Sequence, residues 1–429
     1  MVINLIISVQ WDKNILRFLL TPEAEDTSNN ARLNVTNSFE FRLRGNSVFP
    51  KVHPDRLALV AILNVLPFSG KRILIDWNIS QQFLDATKII SRVRIESKNS
   101  DFLPIKRIKH GSPALSFSGG ADSMAALAVM PMNTEPVFMS RYKKNVNTLY
   151  DSDAAEQSCQ FLSNLGYSVQ IVESDFEYLR DPLGFPTDVA VGSPIILLGE
   201  FRNYDTISFG TILESSYGTS GKSYRDYTKS SHFRLWNSLF EVVGFGYSLP
   251  VAGISEVGTS LILHKSPFGR IHQSCIRGKW KLPCSNCWKC FRKGIVESSI
   301  TNGILCPKSK EMILSSKEVR ARLIDDKPIK HEGVLTYALS KIKTNDKTIL
   351  ALKDLVRVGK ISVIWMERWY PHSSNLIDQS YRKYSCDLLS KYLGQMESID
   401  VNNLVNWSNI NDEDREFLLA KFSKLLPIL

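Results

Sequence analysis

Pro113-Ala114-Leu115-Ser116-Phe117-Ser118-Gly119-Gly120-Ala121-Asp122-Ser123 is the stretch on which the reading of this chain turns. Pro113 to Phe117 reads as a buried strand, and the apolar spacing from Ala121 to Met130 predicts a helix. Between them, two consecutive glycines open backbone conformations barred to other residues and let main-chain N–H groups approach a phosphate closely. The N-terminus of the following helix adds unsatisfied N–H groups and the positive end of its dipole. Ser118 and Ser123 supply hydroxyl donors. Asp122 either caps the helix or holds pyrophosphate oxygens through a magnesium ion. A bare Gly-Gly reads as a tight turn, whereas the whole Ser-Gly-Gly-x-Asp-Ser string at a strand-to-helix switch makes a candidate phosphate site.

Outward from this loop, strands and helices alternate. A strand is expected at Pro136–Met139, a helix from Asp153 to Leu165 closed by Gly166, and a strand at Ser168–Val172. A helix is expected at Ile195–Phe201 and a strand at Thr206–Gly210. That alternation predicts an α/β fold with a parallel, doubly wound sheet over residues 111 to about 300. Residues 1 to about 110 read as a separate α/β domain of unassigned role. Its strands are expected at Phe39–Arg44 and Arg72–Trp77, with a helix over Arg56–Val65 and a polar loop between Pro22 and Asn34. The apolar start, Met1 to Ile7, reads as a strand at the edge of that domain. Residues 301 to 429 are expected to be mostly helical, over Met312–Ile324, Val334–Ile342, Thr348–Val358 and Glu413–Leu426. The Trp365-Met366-Glu367-Arg368-Trp369-Tyr370 stretch is read as core and not as a recognition surface.

At 429 residues the chain has room for about three domains at roughly 150 residues each. With 43% hydrophobic and 22% charged residues it is neither a disordered chain nor a fibre. The net charge of +10 points to an anionic ligand or partner without naming it. Seven cysteines are an odd and sparse set, which argues against a disulfide scaffold and for a reducing compartment. No run approaches 18 apolar residues and the start lacks a basic leader, so the expectation is a cytoplasmic protein without a membrane partner.

Four of the seven cysteines, Cys275, Cys284, Cys287 and Cys290, fall in the pattern C-x8-C-x2-C-x2-C. Four thiolates so spaced can close a tetrahedron around zinc, and a site with four protein ligands has no open position, so the metal would be structural. Cys159, Cys306 and Cys386 read as ordinary buried or surface residues. A second string, Gly221-Lys222-Ser223, ends like a Walker A loop, but Ser216 stands where that motif needs glycine.

The loop and the cysteines together resemble the 7-cyano-7-deazaguanine synthase (QueC) family of PP-loop ATPases, over residues 111 to about 300. Arg292 and Lys293 match the basic residue that follows the family's last cysteine. Ala190 to Leu198 is similar to its segment leading into a helix, and Ile207-Ser208-Phe209-Gly210 to its next strand. The resemblance implies an ATP-dependent ligase, cleaving ATP to AMP and pyrophosphate. It would adenylate a carboxylate, 7-carboxy-7-deazaguanine, for attack by an amine, with ammonia giving the amide or, after dehydration, the nitrile, and a partner-protein amine giving a conjugate. It implies ATP, Mg2+ and Zn2+ as cofactors. Asp122 and Ser123 would be catalytic, and Ser116, Ser118, Gly119, Gly120, Asp122, Ser123 and Gly210 would bind nucleotide. Ser193, Pro194 and Glu256 depart from the family pattern, each where a basic or amide residue usually stands. Glu214-Ser215-Ser216-Tyr217-Gly218 echoes a family segment only loosely. The added terminal regions resemble those of enlarged relatives in antiphage systems of the Qat and type IV CBASS kinds. For such relatives the acceptor is a partner-protein amine in place of ammonia.

Arg277, Lys279, Lys281, Lys289, Arg292 and Lys293 lie in a run without acidic residues, interleaved with Trp280 and Trp288. This run is open to three readings: a tRNA-binding face, a rim that attracts ATP and an anionic substrate, or a solvated surface. Two other functions stay open, a tRNA-thiolating PP-loop enzyme and a non-catalytic nucleotide-binding scaffold.

Overall fold

The computed structural model describes residues 3–23, 37–45, 47–141, 150–218, 223–269, 275–407 and 414–427. Most of the polar loop expected at Pro22–Asn34, and Gly221 and Lys222 of the Walker-like string, lie outside the described residues.

Ten strands form one sheet: β1 (Ile3–Asp12), β2 (Ile15–Pro22), β3 (Ser38–Leu43), β4 (Ser69–Ile75), β5 (Arg94–Ser97), β6 (Ser112–Phe117), β7 (Glu135–Arg141), β8 (Gln170–Ser174), β9 (Tyr204–Phe209) and β10 (Gly246–Ser248). Their order is β10-β9-β6-β7-β8-β3-β2-β1-β4-β5. From β10 to β8 every neighbouring pair is parallel. This is the parallel sheet expected of residues 111–300, and the sheet continues into the N-terminal strands through the antiparallel pair β3–β8. The opening segment is a strand, as expected, and β1 lies inside the sheet, antiparallel to β2 and parallel to β4.

Helices cover both faces, and the strand alternation shows why. Leu115 and Phe117 of β6 point into one apolar layer with Met124, Leu127, Cys159 and Leu162 of the helices Ala121–Ala128 and Asp153–Asn164. Ala114 of β6, with Val137, Ile207 and Phe209, points into the other. That layer is closed by the helices Pro54–Val65, Ser193–Leu198 and Ser231–Val242. Period-two side-chain alternation thus gives β6, β7 and β9 two buried faces, the signature of a doubly wound sheet, whereas β2 and β3 bury only one.

The region beyond residue 301 is mostly helical, as expected, with one correction. Met312–Ile324 is not a single helix but two, Pro307–Ser315 and Lys317–Ile324. Ser316 breaks the run because its hydroxyl caps the second helix, accepting from Val319 N at 3.3 Å. Trp365, Met366, Trp369 and Tyr370 are buried, in keeping with their core reading. This region packs back on the sheet: Tyr381 donates to Asp205 at 2.9 Å, and Arg107 pairs with Asp378 at 2.9 Å. No helix among the described residues is long and apolar enough to cross a membrane.

The β3–β8 seam is closed by side chains as well as by its ladder. Asp175 accepts from Glu40 N at 2.8 Å, Ser174 Oγ donates to Glu40 O at 2.7 Å, and Phe41 packs on Phe176 with ring centres 6.0 Å apart. Phe41 is fully buried, so Phe41→Ala is expected to remove about 3–5 kcal/mol of unfolding free energy, read from urea titration.

Candidate functional site

In the parallel half of the sheet the strand order reverses between β6 and β9, and the loops leaving their carboxyl ends diverge there to leave a crevice. The first of these loops is Ser118-Gly119-Gly120, and the second begins at Gly210. Gly119 has φ +72°, a left-handed conformation that favours glycine, and a Cβ there would also meet Ala155 Cα at 3.1 Å. Gly120 is the residue before the helix, which has no side-chain cap, so Asp122 does not cap it. Ser123 Oγ donates to Gly120 O at 3.1 Å and lies 3.1 Å from Ser118 Oγ, which closes the loop on itself. Gly210 is pressed against that loop: a Cβ there would stand 2.7 Å from Ser123 N. Ser116 lines the cleft at the end of β6, with its hydroxyl donating to Val191 O at 3.1 Å. The seven nucleotide-site candidates read from the sequence therefore gather at one crevice.

Asp122 turns away from its helix toward a buried charge cluster that the sequence reading did not assemble. Thr259 donates to Asp122 Oδ1 at 3.3 Å, and Lys293 Nζ lies 3.6 Å from the same oxygen. Lys293 also lies 3.1 Å from Glu256 Oε1, while Arg292 Nε donates to Glu256 Oε2 at 2.6 Å. His331, in the left-handed region at φ +60°, places Nδ1 3.6 Å from Glu256 Oε2. Burial alone would raise Glu256, but Arg292, Lys293 and His331 outweigh it and hold the carboxyl well below the ordinary range. Burial pulls Lys293 down, and Glu256 and Asp122 more than reverse it, so its ammonium is held charged. His331 is pushed down to about 4 by burial and by Arg292 and is neutral near pH 7. Glu256 is thus neutralised by the two basic residues that follow the last cysteine.

Glu214 sits beneath this cluster, and both its oxygens accept from Glu256 N at 3.1 Å. Burial, and then the charge of Glu256, push its carboxyl up to about 8. Ser193 and Pro194 are buried and do not line the cleft, with Ser193 Oγ accepting from Asn64 at 3.1 Å.

The four cysteines come together as their spacing predicts. Their Sγ atoms all lie within 4.8 Å of one another, and Cys284 and Cys290 are 3.8 Å apart. A tetrahedron with metal–sulfur bonds of about 2.3 Å has edges of about 3.8 Å, so the set fits a metal such as zinc with no ligand position left open. Cys287 also caps the helix Trp288–Thr301, its Sγ accepting from Cys290 N at 3.4 Å. That helix carries Arg292 and Lys293 into the charge cluster. The basic run is therefore split: Arg292 is buried and Lys293 nearly so, while Arg277 pairs with Glu318 at 2.7 Å on the surface.

An open cleft of about 380 Å³ joins the loop to an aromatic wall of Phe138, Tyr150 and Phe185. Arg141 stacks over Tyr150 at 4.1 Å and Phe185 at 4.5 Å, and pairs with Glu177 at 3.3 Å. A glycine turn at a helix start at one part of the cleft and aromatic rings at another are features that can take a nucleotide-sized anion. Arg141 and Phe185 carry no motif, and only a third dimension brings them to the loop.

A family model described as a family of unknown function (DUF6395) matches residues 235–408. The match covers less than half of the chain. It takes in Glu256, the four cysteines, Arg292, Lys293 and His331 and leaves out the glycine loop. No curated protein and no solved structure matches the chain.

Two outcomes follow from this geometry. Cys284→Ser is expected to cost the protein about one bound metal ion per chain, read by elemental analysis, and to lower its melting temperature by several degrees. Glu214 keeps in the folded state a proton that the unfolded chain releases. Its contribution to stability is therefore greatest below about 4.5 and falls as the pH rises toward about 8. Glu214→Gln should flatten that part of the curve in thermal melts taken across the pH range.

Proposed function

We propose that this chain is an ATP-dependent ligase that adenylates a carboxylate of the 7-carboxy-7-deazaguanine type and passes the acyl group to an amine. The observation that carries the reading is the Ser118–Ser123 loop at the strand-order reversal, backed by Gly210 and flanked by a charged Lys293. A carboxylate is a poor acyl donor until its oxygen becomes a phosphate ester. The substrate carboxylate would attack the α-phosphate of ATP, and pyrophosphate would leave into the loop, where main-chain N–H groups and the helix dipole stabilise its charge.

Ser118 and Ser123 would donate hydroxyls to the pyrophosphate, and Lys293 would offset charge as the leaving group departs. Asp122, with 30% of its side chain exposed beside the loop, would hold magnesium, which when bound would neutralise phosphate oxygens. The four cysteines would hold zinc, whose work there is structural: it fixes the start of the helix that delivers Arg292 and Lys293. The aromatic wall and Arg141 would take the planar base of nucleotide or substrate.

The test is carboxylate-dependent release of pyrophosphate from ATP by metal-loaded protein given 7-carboxy-7-deazaguanine. Release above background is expected, with Asp122→Ala and Lys293→Met each lowering it by about 100-fold or more. No release from folded, metal-loaded protein would overturn the ligase reading and leave a nucleotide-binding scaffold.

A further inference from the structure

Asp188 is a misfit in a cleft built to receive phosphates. It lines the same cleft as Ser118, Asp122 and Ser123, and 67% of its side chain is exposed. A carboxylate there disfavours an anion beside it and favours a cation or a proton. Behind it stands His232, whose Nε2 lies 3.0 Å from Asp188 Oδ1. The ring is held from two further sides. Tyr227 Oη lies 2.8 Å from Nδ1, and Trp236 Nε1 donates to Nε2 at 3.2 Å. Tyr227 and Trp236 are both buried, so the imidazole is seated in a rigid aromatic socket.

The hydrogen-bond bookkeeping at Nε2 is unusual. An indole N–H can only donate, so Trp236 asks Nε2 for a lone pair. A carboxylate can only accept, so Asp188 asks the same nitrogen for a proton. Each demand is met by one form of the ring: the tautomer protonated on Nδ1 accepts from Trp236 at Nε2, and a ring carrying a proton on Nε2, neutral or charged, donates to Asp188. The Tyr227 hydroxyl can donate to Nδ1 or accept from it, so that nitrogen is satisfied in both states. Besides Asp188, the Arg225 guanidinium stands 5.2 Å over the Tyr227 ring, and Tyr247 hydrogen-bonds Tyr227.

Resting on the acyl-adenylate reading above, we propose that Asp188 is the base that deprotonates the attacking amine, with His232 as the proton's destination and Tyr227 and Trp236 as positioning residues. An ammonium is drawn to the Asp188 carboxylate and gives it one N–H proton, which passes to His232 Nε2. The freed lone pair forms the C–N bond at the acyl carbon, and the C–O bond to AMP breaks with its electron pair staying on the phosphate oxygen. The second N–H proton leaves to solvent, giving the amide. General-base assistance of this kind contributes roughly 100-fold or more.

The experiment compares two nucleophiles on the same adenylate, formed from ATP and 7-carboxy-7-deazaguanine. Ammonium chloride needs a base, whereas hydroxylamine is already deprotonated at neutral pH. Asp188→Asn, at an exposed position that does not threaten folding, and His232→Gln should each lower the ratio of amide to hydroxamate formation by roughly 100-fold. An unchanged ratio in both variants would overturn the proposal, as would an equal loss of both products, which marks a merely structural role. Failure of the unsubstituted protein to form hydroxamate would overturn the adenylation reading itself and this proposal with it, before any variant is compared.

Discussion

A buried carboxylate organises this molecule's site. Glu256 has 1% of its side chain exposed, and a charge so enclosed is tolerable only when it is paired and hydrogen-bonded. The two cations that pair with it, Arg292 and Lys293, are consecutive on one helix, and the start of that helix is set by Cys287 and Cys290. Lys293 reaches Asp122 from the same position. The cysteine cluster, the helix and the glycine loop are therefore mechanically one unit. A displaced helix would strand Glu256 without its counter-charges, which costs several kcal/mol in an enclosed site.

The ten-stranded sheet provides the platform on which this unit rests. Its parallel half places the carboxyl ends of β6 and β9 side by side, and the N-terminal strands extend it through the β3–β8 seam. The N-terminal helix Pro54–Val65 supports the site from behind: Asn64 donates to Ser193, and Arg56 stacks over Phe245 at 4.2 Å. The C-terminal helices close the other side, where Ser255 donates to Met366 O at 2.8 Å just ahead of Glu256. Both terminal regions thus brace the elements that carry the loop and the charge cluster.

What could be read along the chain was local. The Ser-Gly-Gly-x-Asp-Ser turn and the cysteine spacing are legible because every participant lies within a few residues of the next. The strands from β6 to β9 are legible for the same reason, since hydrophobic periodicity is a nearest-neighbour property. The charge cluster was not: Thr259 and Asp122 are 137 positions apart, and Glu214 and Glu256 are 42 apart. Neither glutamate carries a motif, and a solitary Glu in a sequence reads as surface until its burial is known. The break at Ser316 has a comparable cause, because a serine on a helical stripe becomes a cap only when the chain turns there.

By itself the sequence determined the alternation of strand and helix, the glycine turn at a helix start and a four-thiolate set at metal-binding spacing. Those follow from backbone freedom, side-chain period and ligand reach, which act over short distances. Only the tertiary structure decided that β1 lies inside the sheet, that Glu256 is held ionised by Arg292 and Lys293, and that Glu214 keeps its proton up to about pH 8. Burial and long-range pairing set those properties, because the energy of a charge depends on what surrounds it in space and not on what adjoins it in the chain.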